Sequence, residues 1–394
     1  MVQESGVTFY AVHQAWDARQ EADLSIFLHR KREPERRPSA LESLCNGLYN
    51  PVLIMTISYF IIPNPNQDSS GFAPVFLKQI SDAGWIRAQG LETADILFVF
   101  DHPRRFSRVK RAITKASGKK VLLRFEPNAV NPILYRKSTV QIYDIVLNIG
   151  GRNHLGSHSA VLRWPYFSHL NPAKPNANSA RSPRAVRIAS LQKCTPKRYR
   201  ASLVVSNKVS WSSPSNYALR QRLVLNRKYL DLNTFGMHWS DSRFQRLRRN
   251  FRLYLFFLSQ GVIPRLSHLF ENIGFTRLMD VPSVTDKFEI LSESEFHLVV
   301  ENSSTYVSEK LIDAMIGGAI PIYYGPSLSD YGIPSDCYIP FPHDPKDQLR
   351  LLQSLHRIDK EIVKKRIDTF LNSANGLTAW MPETVAKDIM SRCL

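Results

Sequence analysis

The segment FHLVVENSSTYVSEKLIDAMIGGAIPIYYG, residues 296–325, decides the fold of this 394-residue chain. Two apolar runs, Phe296–Val300 and Ala319–Tyr324, flank a polar loop and a helix-like stretch that ends at Gly317 and Gly318. This order of strand, loop, helix and strand predicts a βαβ unit, in which a right-handed crossover joins two parallel strands. Ligands of such units lie where strand carboxyl ends meet helix amino ends. We therefore expect a phosphorylated ligand to bind in the loop.

The same alternation of strands and helices extends over most of the chain. Apolar, β-branched runs typical of buried parallel strands occur at Val52–Ile62, Ile96–Phe100, Val121–Phe125 and Ile142–Ile149. A strand–helix–strand pattern returns at Ala201–Ser206, Ser215–Arg227 and Tyr229–Phe235. The sequence therefore predicts an α/β protein.

Composition divides the chain into five parts, and its length allows two domains with separate cores. Residues 171–185 are rich in Pro, Asn, Ser and Ala, which is typical of a linker. We predict a poorly ordered leader at 1–48, α/β domains at 49–170 and 186–345 on either side of the linker, and C-terminal helices at 346–394.

The charge of +18 is concentrated in one part of the chain. Residues 181–270 hold 18 Lys and Arg against two acidic residues, Asp231 and Asp241. A solvated basic face explains most of these charges, while attraction to a nucleotide, an anionic membrane or a nucleic acid remains open. Zinc-finger spacing and RNA-binding motifs do not occur, which argues against nucleic acid. The longest apolar stretch, Val52–Ile62, is too short to span a membrane, so we expect a soluble or peripherally attached protein.

Residues 300–325 resemble the donor-binding signature of the α-1,3/4-fucosyltransferases of glycosyltransferase family 10. The resemblance is carried by Val300-Glu301-Asn302-Ser303, by Tyr306-Val307-Ser308-Glu309-Lys310 and by Ile320-Pro321-Ile322-Tyr323-Tyr324-Gly325. It implies a glycosyltransferase B-like fold, in which two Rossmann-like domains face each other across a cleft. The first domain then holds the acceptor, and the second binds GDP-fucose.

The resemblance implies two cations for the diphosphate that leaves when the glycosidic bond breaks. Lys310 lies near the start of the predicted 307–316 helix, and Arg220 follows the strand whose end carries Ser206 and Asn207. Arg222 stays an alternative to Arg220, since either guanidinium can bind phosphate bidentately. The remaining candidate donor-binding residues are Glu301, Asn302, Tyr306 and Glu309, with Glu309 suited to accept hydrogen bonds from ribose or sugar hydroxyls.

The acceptor hydroxyl must lose a proton, so a carboxylate is needed across the cleft. Glu126 follows the apolar run Val121–Phe125, and the family carries its proposed general base in a Phe-Glu-Ser-Pro-like element there. This chain has Phe125-Glu126-Pro127, without the serine. Glu301 is a competitor for the role of base, although its place in the donor loop suits a structural role better.

The resemblance therefore implies an inverting fucosyltransferase that forms an α-1,3 linkage to GlcNAc or glucose in an oligosaccharide or lipid-linked glycan. We expect no required cofactor and no metal site, although stimulation by a divalent metal stays open. A bacterial-type, cytoplasmic enzyme at the inner face of an anionic membrane is expected, with a Golgi enzyme as the alternative. The competing functions are transfer from another nucleotide sugar and non-catalytic binding of a polyanion or membrane surface.

Overall fold

The computed structural model describes residues 57–62, 72–101, 108–125, 132–149, 159–162, 197–208, 215–259, 266–270, 280–284 and 286–394. The predicted leader at 1–48, the predicted linker at 171–185 and the candidate base Glu126 lie outside these residues. The described residues form two separate sheets of parallel strands.

The first sheet is built from the N-terminal half of the chain. Its strands are β1 (Ser58–Ile62), β2 (Ile86–Arg87), β3 (Ile96–Phe100), β4 (Lys119–Arg124), β5 (Ile145–Ile149) and β6 (Ser159–Leu162). Three helices lie between them: α1 (Phe72–Asp82), α2 (Arg108–Lys115) and α3 (Lys137–Val140). The strand order is β2-β1-β3-β4-β5-β6, and all pairs are parallel. Every side chain of β3 is buried, as expected for a strand covered on both faces.

The second sheet contains β7 (Tyr199–Val204), β8 (Asn233–Phe235), β9 (Ser294–Val300), β10 (Ile320–Tyr324) and β11 (Ile339–Pro340). Its helices are α4 (Tyr217–Leu225), α5 (Arg243–Ser259), α6 (Ser267–Phe270), α7 (Lys287–Ser292) and α8 (Lys310–Ile316). The order β11-β10-β9-β7-β8 is again parallel throughout. The chain order reverses between the adjacent strands β7 and β9, which makes their carboxyl ends the topological switch point of a doubly wound sheet.

The predicted βαβ unit at 296–325 is confirmed, with β9 and β10 paired in parallel on either side of α8. The helix begins at Lys310, three residues later than the predicted 307–316 stretch. Gly318 follows it with φ of +84°, a conformation that a residue with a Cβ rarely adopts. The predicted strand Tyr229–Phe235 is shorter, because turns occupy residues 226–231 and only Asn233–Phe235 pair with β7.

The chain ends in three helices, α9 (Pro345–Ser354), α10 (Lys360–Leu371) and α11 (Pro382–Cys393). The last of these helices packs on the first sheet domain, where Val385, Ala386 and Ile389 join the core around Phe72 and Phe76 of α1. This apolar contact ties the end of the chain to the N-terminal domain, because exposing these side chains again would cost about 1.5–3 kcal/mol for each large one. No helix among the described residues is long and apolar enough to cross a bilayer.

Candidate functional site

The candidate site lies at the switch point of the second sheet, where β7 and β9 end side by side. Ser206 and Asn207 follow β7, and the loop from Glu301 to Glu309 follows β9. The carbonyl oxygen of Asn302 accepts a hydrogen bond from the backbone N–H of Asn216, at 3.0 Å, just before α4 begins. The structure therefore brings the two predicted motif segments together at one sheet edge.

Glu301 organises the loop from a fully buried position. Its carboxylate accepts hydrogen bonds from the Ser308 backbone N–H at 2.9 Å and from the Ser308 hydroxyl at 2.8 Å. Lys310 Nζ lies 3.5 Å from the same carboxylate and donates to the Ser308 hydroxyl oxygen at 2.7 Å. A buried carboxylate needs such partners, since it has lost its hydration. The Lys310 side chain remains 26% exposed, so its ammonium group can also reach a ligand in the cleft.

Arg220 reaches the same sheet edge from α4. It is 5% exposed, donates from one guanidinium nitrogen to the carbonyl oxygen of Val300, and stacks over the Tyr217 ring at 5.1 Å. Its Nε is buried and has no hydrogen-bond partner among the residues that the structure describes. Burial lowers the pKa of the Arg220 guanidinium, while Tyr217, Glu301 and Glu309 oppose that shift. A buried cation with an unused donor at a strand end is suited to bind an anion.

Arg222, the alternative candidate, points elsewhere. It donates to the side-chain oxygen of Gln348 in α9 at 2.9 Å, and so fastens α4 to the C-terminal helices. Arg220, in contrast, contacts the residue that directly precedes Glu301. Of these two arginines, the geometry favours Arg220 as the anion ligand.

Glu309 lies half-buried among three cations at the start of α8. Burial alone would raise the pKa of its carboxyl group, but the charges of Lys310, Lys287 and Arg220 hold that pKa below its usual range. Lys287 is itself ion-paired with the buried Asp313. Glu309 is therefore ionised, and its carboxylate can accept hydrogen bonds from sugar or ribose hydroxyls.

Of the two predicted residues that follow β7, Asn207 is buried and fixed by hydrogen bonds, while Ser206 is less buried. Asn207 is fully buried, and its backbone N–H and side-chain amide donate to the carbonyl oxygens of Met237 and His238 at 3.0 and 3.3 Å. Its own carbonyl oxygen accepts a hydrogen bond from Arg249 of α5 at 3.0 Å. These contacts fasten the loop after β7 to the loop after β8, whereas Ser206 is only half-buried.

Tyr306 connects the donor-side loop to the first domain. It is 3% exposed, and its hydroxyl donates to the carbonyl oxygen of Phe125 at 2.8 Å. The backbone N–H of Phe125 donates to the carboxylate of Asp101 at 2.9 Å. The residue before Glu126 is thus held from both sides, by its own domain and by the facing one. Glu126 itself is outside the described residues, so its predicted role as base stays a prediction.

Three further residues of the site were not predicted as functional residues. Ser308 bridges Glu301 and Lys310, Asp101 holds Phe125, and Gly325 leaves room for the buried carboxylate. A Cβ at Gly325 would lie 2.4 Å from the Tyr323 hydroxyl and 2.9 Å from Cγ of Glu301. The sequence did carry a signal for Gly325, because the motif ends in an aromatic residue followed by glycine. No local sequence signal links Asp101 to Phe125, which lies 24 residues away.

Groups of three or more His, Cys, Asp or Glu side chains that could hold a metal ion do not occur in the part of the chain that the structure describes. Instead, carboxylates at the switch point are paired with cations: Asp313 with Lys287, and Glu301 with Lys310. The arrangement can bind a polyanionic group with Arg220 and Lys310 and a hydroxyl-bearing group with Glu309.

Sequence comparison finds partial matches to a known family, which lie in the second domain. Residues 275–366 match the model described as glycosyltransferase family 10 (fucosyltransferase) C-term, a segment that contains the loop from Glu301 to Lys310. The chain is also 37% identical over 105 residues to 4-galactosyl-N-acetylglucosaminide 3-alpha-L-fucosyltransferase 9 of Bos taurus. That alignment covers 25% of this chain and 28% of the cattle protein. Both matches are thus confined to part of the chain.

Structural comparison extends over both domains. The crystal structure of an alpha1,3-fucosyltransferase superposes with a TM-score of 0.51 and 14% identity, covering 86% of this chain and 90% of the other. A structure of an alpha1,3-fucosyltransferase with GDP-fucose gives a TM-score of 0.47 at the same identity and coverage. With two parallel sheets in the observed orders, the fold is of the glycosyltransferase B type, as the sequence predicted.

A buried histidine in β9 gives a pH-dependent prediction. Nδ1 of His297, in β9, lies 2.8 Å from the Ser202 hydroxyl, which is 2.7 Å from the Ser294 hydroxyl. Burial, assisted by the charge of Lys287, lowers the pKa of His297 to about 3. The unfolded chain therefore binds a proton at His297 below about pH 6.5 that the folded chain excludes.

We expect this histidine to destabilise the fold as the pH falls from about 6.5 towards 3. Between pH 8 and pH 5 the loss attributable to His297 is about 2 kcal/mol in the free energy of unfolding. Urea unfolding of wild type and His297→Gln at both pH values measures it, because the other titrating groups cancel in the difference. An unfolding free-energy difference between the two proteins that does not change with pH would show that His297 is not held neutral.

Proposed function

We propose that this chain is a fucosyltransferase of glycosyltransferase family 10 that uses GDP-fucose as donor. The observation that carries the proposal is the geometry around Glu301. The buried carboxylate holds Lys310 at the same strand end where Nε of Arg220 has no partner within the described part of the chain. The family match over residues 275–366 includes this loop and supports fucose as the transferred sugar. The cattle relative is named as a 3-alpha-L-fucosyltransferase, which supports an α-1,3 linkage.

In the proposed reaction the donor diphosphate lies between Arg220 and Lys310. As the bond between the sugar carbon and the diphosphate oxygen breaks, negative charge grows on the departing GDP. Preorganised cations in a partly desolvated site stabilise that charge more strongly than water does. Lys310 is already placed by Ser308 and Glu301, so little reorganisation is needed when the charge develops. Glu309 would accept hydrogen bonds from donor hydroxyls.

Glu126 would act as the general base on the acceptor side. Its carboxylate takes the proton of the acceptor hydroxyl, whose oxygen attacks the sugar carbon from the face opposite GDP and inverts its configuration. The preceding residue, Phe125, is held by Asp101 and by Tyr306 of the donor-side loop. This cross-domain bond supports a fixed spacing between donor and base, which such an in-line displacement requires.

The acceptor in this proposal is GlcNAc or glucose in an oligosaccharide or a lipid-linked glycan. With two cations on the diphosphate, the transfer needs no bound metal, although a divalent ion could still add to the rate. Other nucleotide sugars are the alternative donors, because a Rossmann-like cleft by itself does not select the sugar.

Donor binding tests the site directly. Calorimetric titration with GDP-fucose, GDP-mannose and UDP-galactose should give the tightest binding for GDP-fucose. Arg220→Lys and Lys310→Ala should each weaken that binding by about 2 kcal/mol, or roughly 30-fold, because each removes a charge-assisted contact to the diphosphate. The matched control is Arg222→Lys, which alters the contact to Gln348 in α9 and should leave the affinity within about threefold.

Two results would contradict the proposal. Absence of saturable binding for all three nucleotide sugars would exclude a transferase site at this sheet edge. Equal losses for the Arg220 and Arg222 variants would contradict the choice of Arg220 over Arg222 as the diphosphate ligand.

The base is tested by separating binding from turnover. We expect Glu126→Gln to bind GDP-fucose like wild type and to lower the transfer rate by about 10²–10⁴-fold, since only proton removal is lost. Glu92→Gln, an exposed glutamate of the same domain, serves as the control and should transfer at the wild-type rate. A Glu126→Gln rate within a few-fold of wild type would move the role of base to another residue.

A further inference from the structure

An apolar stripe runs along the outer face of α5. Phe244, Leu247, Phe251, Leu255 and Leu258 are all more than a third exposed, and Phe244 is 73% exposed. Their spacing of three or four residues places them on one face of the helix, within about 80° when successive residues turn by 100°. Large apolar side chains scattered singly on a surface are ordinary, but a continuous stripe marks a binding surface.

Arginines flank this stripe on both sides. Arg248 and Arg252 lie along one flank of the helix and Arg243 along the other, and all three are exposed. The helix sequence, RFQRLRRNFRLYLFFLS, contains no acidic residue. An apolar face bordered by arginines is typical of a helix that lies in the interface of a membrane.

The opposite face of α5 fixes the helix to the protein. Arg246 is 1% exposed and donates to the carbonyl oxygen of Trp239 at 3.0 Å, and Arg249 donates to the carbonyl oxygen of Asn207 at 3.0 Å. Arg249 also forms an ion pair with Asp241. These two arginines are structural. The arginines of α5 therefore divide between a face that anchors the helix to the protein and a face that points outward. The stripe is thus presented by a helix that is docked on the loop after β7.

The short helix α6 extends the apolar surface. The side-chain amide of Asn250 in α5 donates to the carbonyl oxygen of Leu269 at 3.2 Å, which joins the two helices. Leu266 and Phe270, at the two ends of this segment, are 63% and 61% exposed. Together with the stripe they form an exposed apolar surface of seven large side chains.

The charge around the stripe identifies the partner. The exposed Arg243, Arg248 and Arg252 border the stripe and α5 carries no acidic residue, so a second copy of the chain would meet this surface with like charge. An anionic bilayer offers the complement of both features, namely negative headgroups for the arginines and acyl chains for the Phe and Leu side chains. A single ridge of side chains on an outward helix also suits insertion to a depth of about 5–10 Å.

We propose that α5 and α6 form a docking surface for an anionic lipid bilayer, with Phe244, Phe251 and Phe270 inserted and Arg243, Arg248 and Arg252 against lipid phosphates. This proposal does not depend on the identity of the donor. Because Arg249 ties α5 to Asn207, docking would hold the switch point near the lipid surface. An acceptor carried on a lipid would then be presented close to the cleft.

Vesicle sedimentation of the full chain at low salt tests the proposal. We expect binding to vesicles of phosphatidylcholine with phosphatidylglycerol and at least about tenfold weaker binding to phosphatidylcholine alone. Phe244→Ser with Phe251→Ser should lower the partition coefficient on anionic vesicles at least about tenfold, since two buried rings are lost. Arg248→Glu should lower it by about fivefold or more.

Matched controls lie on the C-terminal helices. Ile362→Ser replaces an exposed apolar side chain of α10, 58% accessible, and Arg357→Glu reverses an exposed charge. Both should leave vesicle binding unchanged. Phe251→Trp provides a second readout, because its fluorescence should shift to the blue and be quenched by brominated lipid when the stripe inserts.

Several outcomes would overturn the proposal. If the protein does not bind anionic vesicles, the stripe is not a membrane-binding surface. Either another part of the chain covers it, or nothing does. Equal losses for Arg248→Glu and Arg357→Glu, with no loss for the phenylalanine pair, would show unspecific attraction of a basic protein. A concentration-dependent dimer in size-exclusion chromatography that the phenylalanine pair abolishes, without vesicle binding, would assign the stripe to a second copy.

Discussion

The buried carboxylate of Glu301 is the constraint on which the candidate site depends. A carboxylate withdrawn from water at the end of a central strand must be compensated by donors and positive charge. Ser308 supplies two hydrogen bonds and Lys310 an ammonium group, which determines how the loop after β9 folds back and where α8 begins. The same arrangement places Lys310 close to the carbonyl end of β9, where Arg220 is anchored. The buried carboxylate therefore positions Lys310, while the carbonyl oxygen of the preceding residue, Val300, positions Arg220.

The two domains are linked by contacts that bear on the proposed chemistry. The hydroxyl of Tyr306 is bound to the first domain at Phe125, the residue before the proposed base. At the end of the chain, α11 buries Ile389 and its neighbours in the core of the first domain, and Lys119 donates to the carbonyl oxygen of Cys393 at 2.7 Å. These links join residues that are far apart in the chain, and they limit the ways in which the domains can move relative to each other.

Local pattern predicted the parallel strands well, because a strand covered on both faces leaves a run of apolar, β-branched residues. Local pattern was a poorer guide to the bounds of helices and strands where contacts between distant residues decide them. The helix after the donor loop begins at Lys310 and not at Val307, because Ser308 is held by Glu301. The run Tyr229–Phe235 looks like a strand, but turns take its first part, with Asp231 at φ of +50°.

The candidate site shows the same division between local and distant information. The order Glu301, Tyr306, Glu309, Lys310 was visible as a motif, and so was the presence of two nearby arginines. Which arginine faces the site depended on Val300 and Gln348, the second of which is 126 residues from Arg222. The bond from Tyr306 to Phe125 spans 181 residues, and no local pattern encodes it. The sequence of the basic region at residues 181–270 likewise gave no sign that Arg246 would be buried.

The most direct test of this account is a crystal structure of the chain with GDP bound. We expect the diphosphate at the carboxyl ends of β7 and β9, with phosphate oxygens within hydrogen-bond distance of Arg220 Nε and Lys310 Nζ and with Glu301 still buried. GDP bound at another edge of the fold, or at the switch point with Arg220 Nε still without a partner, would contradict it.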